Sequence, residues 1–370
     1  MKRILIEDDH YLKITAVILD PETNVEHTNA VADFVAHDVD FDAWCKALRA
    51  QIPELYPARV ELAGTQADFD AKLRDVDAAV VESLAVTRDA LARTERLRVV
   101  QKFGAIPTGI DLAACVDKNV RVLTLRRSGN VAVAEQAFAL LVALSKRICE
   151  FNGVVTADDL AKAGYPIRPY DRRHIGGSNY ARVPGLRSLA GSTLGIVGLG
   201  EIGREIAVRA NAFEMSLLYH QRSRLGPADE LRFGAKYVPL LELMANSDYI
   251  VVQLPLNDST RGIIDKRAFE ALKPGAILVN AARAQLMDRE ALLDALNSGR
   301  LAGLGMDVHY TEPVEPDDPL LSYKGGNVIL MPHLAVGHRN IGLDDMRRLC
   351  VNLWRATLPP HRLHEKPPLR

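Results

Sequence analysis

Short apolar runs alternate along most of the chain with segments whose apolar residues return every three or four positions. In the first third, runs over residues 14–19, 59–62, 78–81, 99–102 and 120–124 predict strands. The segments over 42–52, 67–74, 87–97 and 111–118 between them predict helices. Strands alternating with helices imply βαβ units and a parallel sheet. Residues 20–40 are polar, rich in Asp, Asn and His, and longer than a usual connection between a strand and a helix. They predict a surface elaboration, with a cover over a cleft as the functional alternative. A helix over 130–150, apolar on most sides, predicts burial between domains. Residues 151–190 show no period and predict a linker or arm, a candidate subunit contact.

The second half repeats the alternation more regularly. Strands are predicted over 194–197, 216–219, 236–238, 249–254, 276–280, 302–306 and 328–331. Helices fit between, over 239–246, over 266–272 before Pro274-Gly275, and over 289–297 before Gly299. A last helix is predicted over 340–357, followed by a proline-rich, loose tail over 359–370.

One junction stands out. The strand over 194–197 runs into Gly198-Leu199-Gly200-Glu201-Ile202-Gly203, and helical spacing resumes at Ile202, Ile206, Ala210 and Phe213. In a strand–turn–helix context the three glycines each have a reason. The first permits a tight turn, the second lets a pyrophosphate approach the backbone, and the third lets helix and strand pack closely. The N–H groups and dipole at the helix start favour an anion there. The plain alternative, a glycine-rich turn without a ligand, is the weaker reading once the flanking elements are counted.

Composition narrows the class. At 370 residues two domains are expected, and 48% hydrophobic with 25% charged residues is ordinary for a globular protein. A net charge of −1 and a pI near 6.8 offer nothing for binding nucleic acid or an acidic membrane. Cys45, Cys115, Cys149 and Cys350 are far apart, which predicts free thiols in a reducing compartment. The N-terminus turns acidic after a short apolar run, so no signal peptide is expected. The apolar stretch 131–144 is interrupted by Glu135 and Gln136, so no membrane span is expected. The expectation is a cytoplasmic protein. Asp8-Asp9-His10, on a terminus expected to fray, has no further ligands nearby in sequence, and His333 and His338 are wrongly spaced for one helix face. No metal is expected.

In open parallel sheets ligands bind beyond the carboxyl ends of the strands. Just past three late strands come Arg283, then Asp307 and Glu312, then His333. Singly these read as a surface arginine, loop carboxylates and a histidine at a strand end. Together, in a sheet that carries the glycine fingerprint, they suit hydride transfer to a carbonyl. His333 can protonate the developing alkoxide, and an adjacent Glu312 favours the imidazolium. Arg283, with its fixed fork of donors, can hold a carboxylate and polarise a carbonyl.

These residues resemble the D-isomer-specific 2-hydroxyacid dehydrogenases, of the glyoxylate/hydroxypyruvate reductase kind, over roughly residues 98–357. The matching runs are TLGIVGLGEIGREIA, SDYIVVQLPLNDSTRGIIDKRAFEALKPGAILVNAARAQLMDREALLDAL, LAGLGMDVHYTEP and VILMPHLA. The resemblance implies an α/β protein of two doubly wound parallel-sheet domains. A flavodoxin-like substrate domain would span 1–128, completed by 335–370, and a Rossmann NAD(P)-binding domain would span 129–334. It implies that Arg283 binds substrate, Glu312 is the acidic partner and His333 the general acid/base. Coenzyme contacts would fall on Gly198, Gly200, Glu201, Ile202 and Gly203 of the turn, and on Gln221, Arg222 and Ser223. Pro255, Thr260 and Ala281 would line the coenzyme cleft, and Asp307 would face the nicotinamide carboxamide. Family members are typically homodimers that close a cleft around a small 2-keto or 2-hydroxy acid.

Three departures qualify the resemblance. Gln221 stands where NAD-specific relatives carry a ribose-binding aspartate, and Arg222 and Arg224 follow it, which favours NADP over NAD. The alternative is a solvated loop and use of NAD without discrimination. The substrate loop reads Gly104-Ala105-Ile106-Pro107-Thr108-Gly109-Ile110-Asp111, without the usual second glycine and Asp-Asn pair. Backbone donors at Gly104, Ala105 and Ile106 remain candidates for holding a carboxylate, while the usual small substrates come into question. Ala284 follows Arg283 where glycine is usual, and Arg126-Arg127 replace a neutral turn, which suggests selection of a substrate with a second anionic group. The reading is reduction of a 2-keto acid to a D-2-hydroxy acid. Rival readings are a coenzyme-sensing corepressor-like binding protein, or oxidation of a small anion such as formate or phosphite.

Overall fold

A computed structural model describes residues 1–323, 325–337 and 339–358. The proline-rich tail over 359–370 and His338 lie outside the described residues. The chain divides into two compact units. One holds Met1–Asn130 and the described part of the segment from Val336, and the other holds Val131–Ala335.

The first unit is a five-stranded parallel sheet of β1 (Lys2–Glu7), β2 (Ala58–Ala63), β3 (Ala78–Val81), β4 (Val99–Lys102) and β5 (Arg121–Leu123), in the order β2-β1-β3-β4-β5. That is the flavodoxin-like winding, with β1 an interior strand between β2 and β3. The N-terminus is therefore no frayed end: Ile4, Leu5 and Ile6 are fully buried between β2 and β3. The run over 14–19, expected as a strand, is a helix, Lys13–Leu19. All of Ile14–Leu19 is buried, and a run that is apolar on every side carries no period to distinguish strand from helix. Asp9 opens this helix by accepting the N–H groups of Tyr11 and Leu12, and Asp8 pairs with Lys13 at 2.6 Å.

The polar segment over 20–40 also differs from expectation, because it contains a helix, Val25–Val35, started by Asn24, whose side chain accepts the Glu26 N–H. Only Val31 and Val35 of that helix are buried, so its polar composition reads as loop. The helix Arg339–Thr357 completes the unit, packing Leu343, Met346, Leu349, Leu353 and Trp354 into the core that holds Ile4 and Ile18.

The second unit is a seven-stranded parallel sheet of β6 (Thr193–Val197), β7 (Ser216–His220), β8 (Ala235–Tyr237), β9 (Tyr249–Val252), β10 (Ala276–Asn280), β11 (Leu301–Met306) and β12 (Val328–Leu330). Their order is β12-β11-β10-β9-β6-β7-β8. The chain winds outward from β6 to β8 and then returns to β9 on the other side of β6, the dinucleotide-binding winding. The winding reverses between β6 and β9, so a ligand crevice is expected beyond their carboxyl ends.

The helix Ser128–Lys146 is long and apolar enough to cross a membrane by length and composition alone. Its Ala134, Ala137, Leu141 and Leu144 are buried in a core shared with Leu194, Ile196 and Tyr249, and Glu135 pairs with Arg209 at 2.9 Å. It is a core helix with Glu135 facing outward, and its buried Ser145 bonds to the Tyr249 hydroxyl at 3.0 Å. After it, the segment over 151–190 includes the helix Ala157–Lys162 and a small core of Leu160, Ala181 and Val183 packed against Phe151, Val154 and Tyr165.

Candidate active site

The turn after β6 is built by close approaches that only glycine permits. Gly198 has φ +105°, and a Cβ there would lie 2.4 Å from the Gln253 carbonyl oxygen, just past β9. A Cβ on Gly203 would lie 2.2 Å from the Gly198 carbonyl oxygen. Gly200 is different: a Cβ there would meet nothing within 4 Å. Gly200 is also the N-cap of the helix Glu201–Ala212, which no side chain caps. Two glycines thus draw strand and helix together, and the middle one opens a space at a positive helix end. That arrangement fits a pyrophosphate, the ligand expected at Gly198, Gly200, Glu201, Ile202 and Gly203, although the Gly198 N–H itself donates to the His220 carbonyl at 2.8 Å.

The loop after β7 closes over this turn. Gln221 Oε1 accepts the Leu199 N–H at 3.2 Å, and its Nε2 donates to the Ser223 carbonyl at 2.6 Å. The two arginines that follow have different fates. Arg224 is held in a bidentate pair with Glu230, both bonds 2.8 Å, and Glu230 also accepts the Tyr219 hydroxyl at 2.7 Å. The hydrogen bonds from Arg224 and Tyr219 hold the Glu230 carboxyl down at about 2. Arg224 is therefore not free to share a phosphate with Arg222. Arg222 is exposed and makes no hydrogen bond or ion pair among the described residues.

The tips of β9, β10, β11 and β12 carry the remaining residues. After β9, Thr260 Oγ1 donates to the Pro255 carbonyl at 2.6 Å and accepts the Asn257 N–H at 2.9 Å, which shapes that turn. At the end of β10, Asn280 is fully buried. Its amide accepts the Ala282 N–H and donates to the Arg283 carbonyl, both at 2.9 Å. Ala281 is buried, while the Arg283 side chain is exposed and bonds to the Ala282 carbonyl at 2.6 Å.

Past β11, Asp307 is fully buried, and its two oxygens accept the N–H groups of Leu334 at 2.9 Å and Ala335 at 2.8 Å. Burial pushes its pKa up, more than those two bonds and the nearby imidazoles of His333 and His309 lower it. Its carboxylate thus anchors the residues that follow His333.

Glu312 and His333 meet directly, His333 Nδ1 to Glu312 Oε2 at 2.8 Å. The other Glu312 oxygen accepts the His309 N–H at 2.8 Å. Burial alone would raise the Glu312 pKa, but the bonds from His333 and the His309 N–H, with the charge of both imidazoles, bring it below its ordinary value. Because an ionised carboxylate only accepts, Nδ1 of His333 carries a proton, and Nε2 is the nitrogen left to exchange one. His333 sits at φ +57°, with its N–H bonded to the Met331 carbonyl at 2.9 Å. A non-glycine residue in that region costs about 1–3 kcal/mol and persists only where its surroundings impose it.

Arg283, Glu312, His333 and Asp307 thus lie beyond the ends of β10, β11 and β12, with Glu312 and His333 in contact and Arg283 bonded to neither. Two residues went unread in the sequence, Asn280 and His309. A polar residue closing the apolar run of a buried strand was the available signal for Asn280. Nothing in the linear pattern marked His309.

In the first unit the loop after β4 leaves Gly104 buried, Ala105 exposed and Ile106 half-buried. Lys102 is buried beneath it, its Nζ bonded to the carbonyls of Glu82 and Thr108. Arg127 pairs with Glu82 and lies 4.2 Å over the Phe103 ring. Its charge already faces a carboxylate, which weakens the expectation that it selects a second anionic group. Burial pushes the Glu82 pKa up in spite of Arg127.

Residues 138–335 match the family described as D-isomer specific 2-hydroxyacid dehydrogenase, NAD binding domain. A glyoxylate reductase of Pyrococcus furiosus is 33% identical over 293 residues, 78% of this chain and 82% of that one. Among solved structures, a glyoxylate reductase from Paecilomyes thermophila is 26% identical with a TM-score of 0.52, covering 96% of this chain and 95% of that one. The D-mandelate dehydrogenase of Rhodotorula graminis is 25% identical with a TM-score of 0.53, covering 96% and 94%.

Proposed function

Since the chain belongs to the D-isomer-specific 2-hydroxyacid dehydrogenase family, and so transfers a hydride between NAD(P)H and a 2-keto acid, we propose that Arg283, Glu312 and His333 carry that reaction with NADPH as the preferred coenzyme. The bound nicotinamide supplies or receives the hydride. The chain's own residues hold the reactants and move the proton. Arg283, on the loop clamped by the buried Asn280, grips the substrate carboxylate and polarises the carbonyl with its fork of donors. His333 gives a proton from Nε2 to the oxygen as it becomes an alkoxide, while Glu312 holds Nδ1 and steadies the imidazolium. Gly104, Ala105 and Ile106 are the candidates in the first unit for contacting the substrate carboxylate.

The 2.8 Å bond between His333 Nδ1 and Glu312 Oε2 is the observation that carries this reading. Replacing His333 by Ala is expected to lower kcat by about 10²–10⁴ while coenzyme binding persists. Near-wild-type turnover in H333A refutes the assignment. Glyoxylate, named in several relatives, is the first keto acid to test, beside larger ones because of the altered loop over 104–111. Chiral chromatography of the product tests for the D-isomer.

The coenzyme preference rests on Gln221, which brings no negative charge to the ribose, and on the uncommitted Arg222 next to Ser223. R222A should weaken NADPH binding about tenfold, or 1.4 kcal/mol, and leave NADH unchanged. Equal losses for both coenzymes refute it. A homodimer completes the proposal, supported by the exposed apolar Val155, Ile167 and Ile175 on the arm over 151–190. A monomer by light scattering refutes that part.

A further inference from the structure

His309 stands between the loops of Glu312 and His333 and is itself buried. Its main-chain N–H donates to Glu312 Oε1 at 2.8 Å, and its ring Nε2 bonds to the Met331 carbonyl at 2.9 Å. The same carbonyl accepts the His333 N–H at 2.9 Å, and His333 returns through Nδ1 to Glu312 Oε2 at 2.8 Å. These bonds close a ring: Met331 carbonyl, His309 side chain, His309 N–H, Glu312, His333, and back to Met331. Every contact in it is of ordinary hydrogen-bond length.

We propose that His309 is a positioning residue for the dehydrogenase reaction, its side chain tying the end of β12 to the loop that presents Glu312. The proposal rests on the reading of His333 as proton donor and Glu312 as its partner. The physical case has three parts. A carbonyl oxygen can only accept, so His309 Nε2 carries the proton of this bond, and an apolar side chain of the same size cannot replace it. Glu312 and His333 come from loops 21 residues apart, and their mutual bond is part-exposed to water. The buried His309 ring joins the two loops, as the Asp307 carboxylate does, and its bond competes less with solvent than the exposed Glu312–His333 bond. Finally, His333 holds a left-handed backbone that its surroundings must impose. Asp307 fixes the residues after it, and the Met331 carbonyl, held in place by His309, fixes the residues before it.

The test compares H309F, H309Q and H309N in the full chain, with H333A as reference. The Gln amide nitrogen occupies the place of His Nε2, whereas the Asn amide is too short to reach the Met331 carbonyl. H309F and H309N are expected to lose about tenfold in kcat, with KM for keto acid and coenzyme changed less than about twofold. H309Q should keep at least half of the wild-type kcat, and its melting temperature should not differ from that of H309N by enough to explain the contrast. Wild-type kcat in H309F, or equal losses in H309Q and H309N, overturns the proposal. If H309F does not fold, the Gln and Asn pair decides it alone. Turnover that survives in H333A means the catalytic reading has failed. Loss in H333A with no effect at His309 means that this inference alone has failed.

Discussion

Replacing Asp307 by Asn separates two roles for a buried carboxylate. The resemblance to the family implies a contact with the nicotinamide carboxamide, whereas both oxygens here accept main-chain N–H groups, Leu334 at 2.9 Å and Ala335 at 2.8 Å. Asn keeps one acceptor oxygen and turns an NH2 toward the second N–H. One charge-assisted bond is lost, about 1.5–3 kcal/mol, and a largely buried N–H is left unpaired. Against this, burial already disfavours the ionised Asp307, and a neutral amide removes that penalty. A net cost of about 1–2 kcal/mol falls on the backbone around His333, whose φ of +57° already needs support. That is a five- to thirtyfold smaller share of molecules with His333 in place, so kcat should fall by about that factor. KM for the coenzyme should stay nearly constant. Steady-state kinetics of keto-acid reduction, with a melting curve for each variant, supply both numbers. Unchanged kcat with a raised coenzyme KM refutes the bracing role and favours the carboxamide contact.

The glycine turn makes two opposite predictions. G203A should lose stability and coenzyme binding together, because its Cβ would lie 2.2 Å from the Gly198 oxygen, whereas G200A should melt near the wild-type temperature and lose coenzyme affinity alone, since its Cβ fills open space. Calorimetry and coenzyme titration of the pair check this, and equal melting temperatures refute it. The Glu230 carboxyl is held down at about 2, from an ordinary 4.5, by Arg224 and Tyr219. Since the folded pKa lies below the unfolded one, its contribution is present above pH 4.5 and is lost as pH falls toward 2. E230Q should therefore melt lower than wild type at pH 7, with the gap shrinking as pH falls toward 2. A gap independent of pH sinks that reasoning.

Much of the second unit is legible in the chain because its strands are short apolar runs ended by glycine, proline or a polar residue. The helix that starts at Glu201 keeps a plain helical period. The glycine turn, and the positions of Arg283, Glu312 and His333 past the ends of three strands, follow from local pattern alone. The first unit is less legible. Residues 14–19 are apolar on every side, so nothing local separates helix from strand, and burial beside β1 and β2 decides it. Residues 25–35 bury so little that a helix reads as a loop until its cap and its packing are seen. What only the tertiary structure decides is which polar groups meet. Gln221 reaches Leu199, Arg224 turns away to Glu230, Asp307 holds Ala335, and His309 joins Met331 to the loop of Glu312. Apart from Arg224 and Glu230, which are six residues apart, each pair is brought together by parallel strands whose ends are neighbours in space while their sequences lie apart. Hydrophobic period reports which face of an element is buried. Which polar side chain closes against which backbone depends on the order of the strands, and that exists only once the sheet has formed.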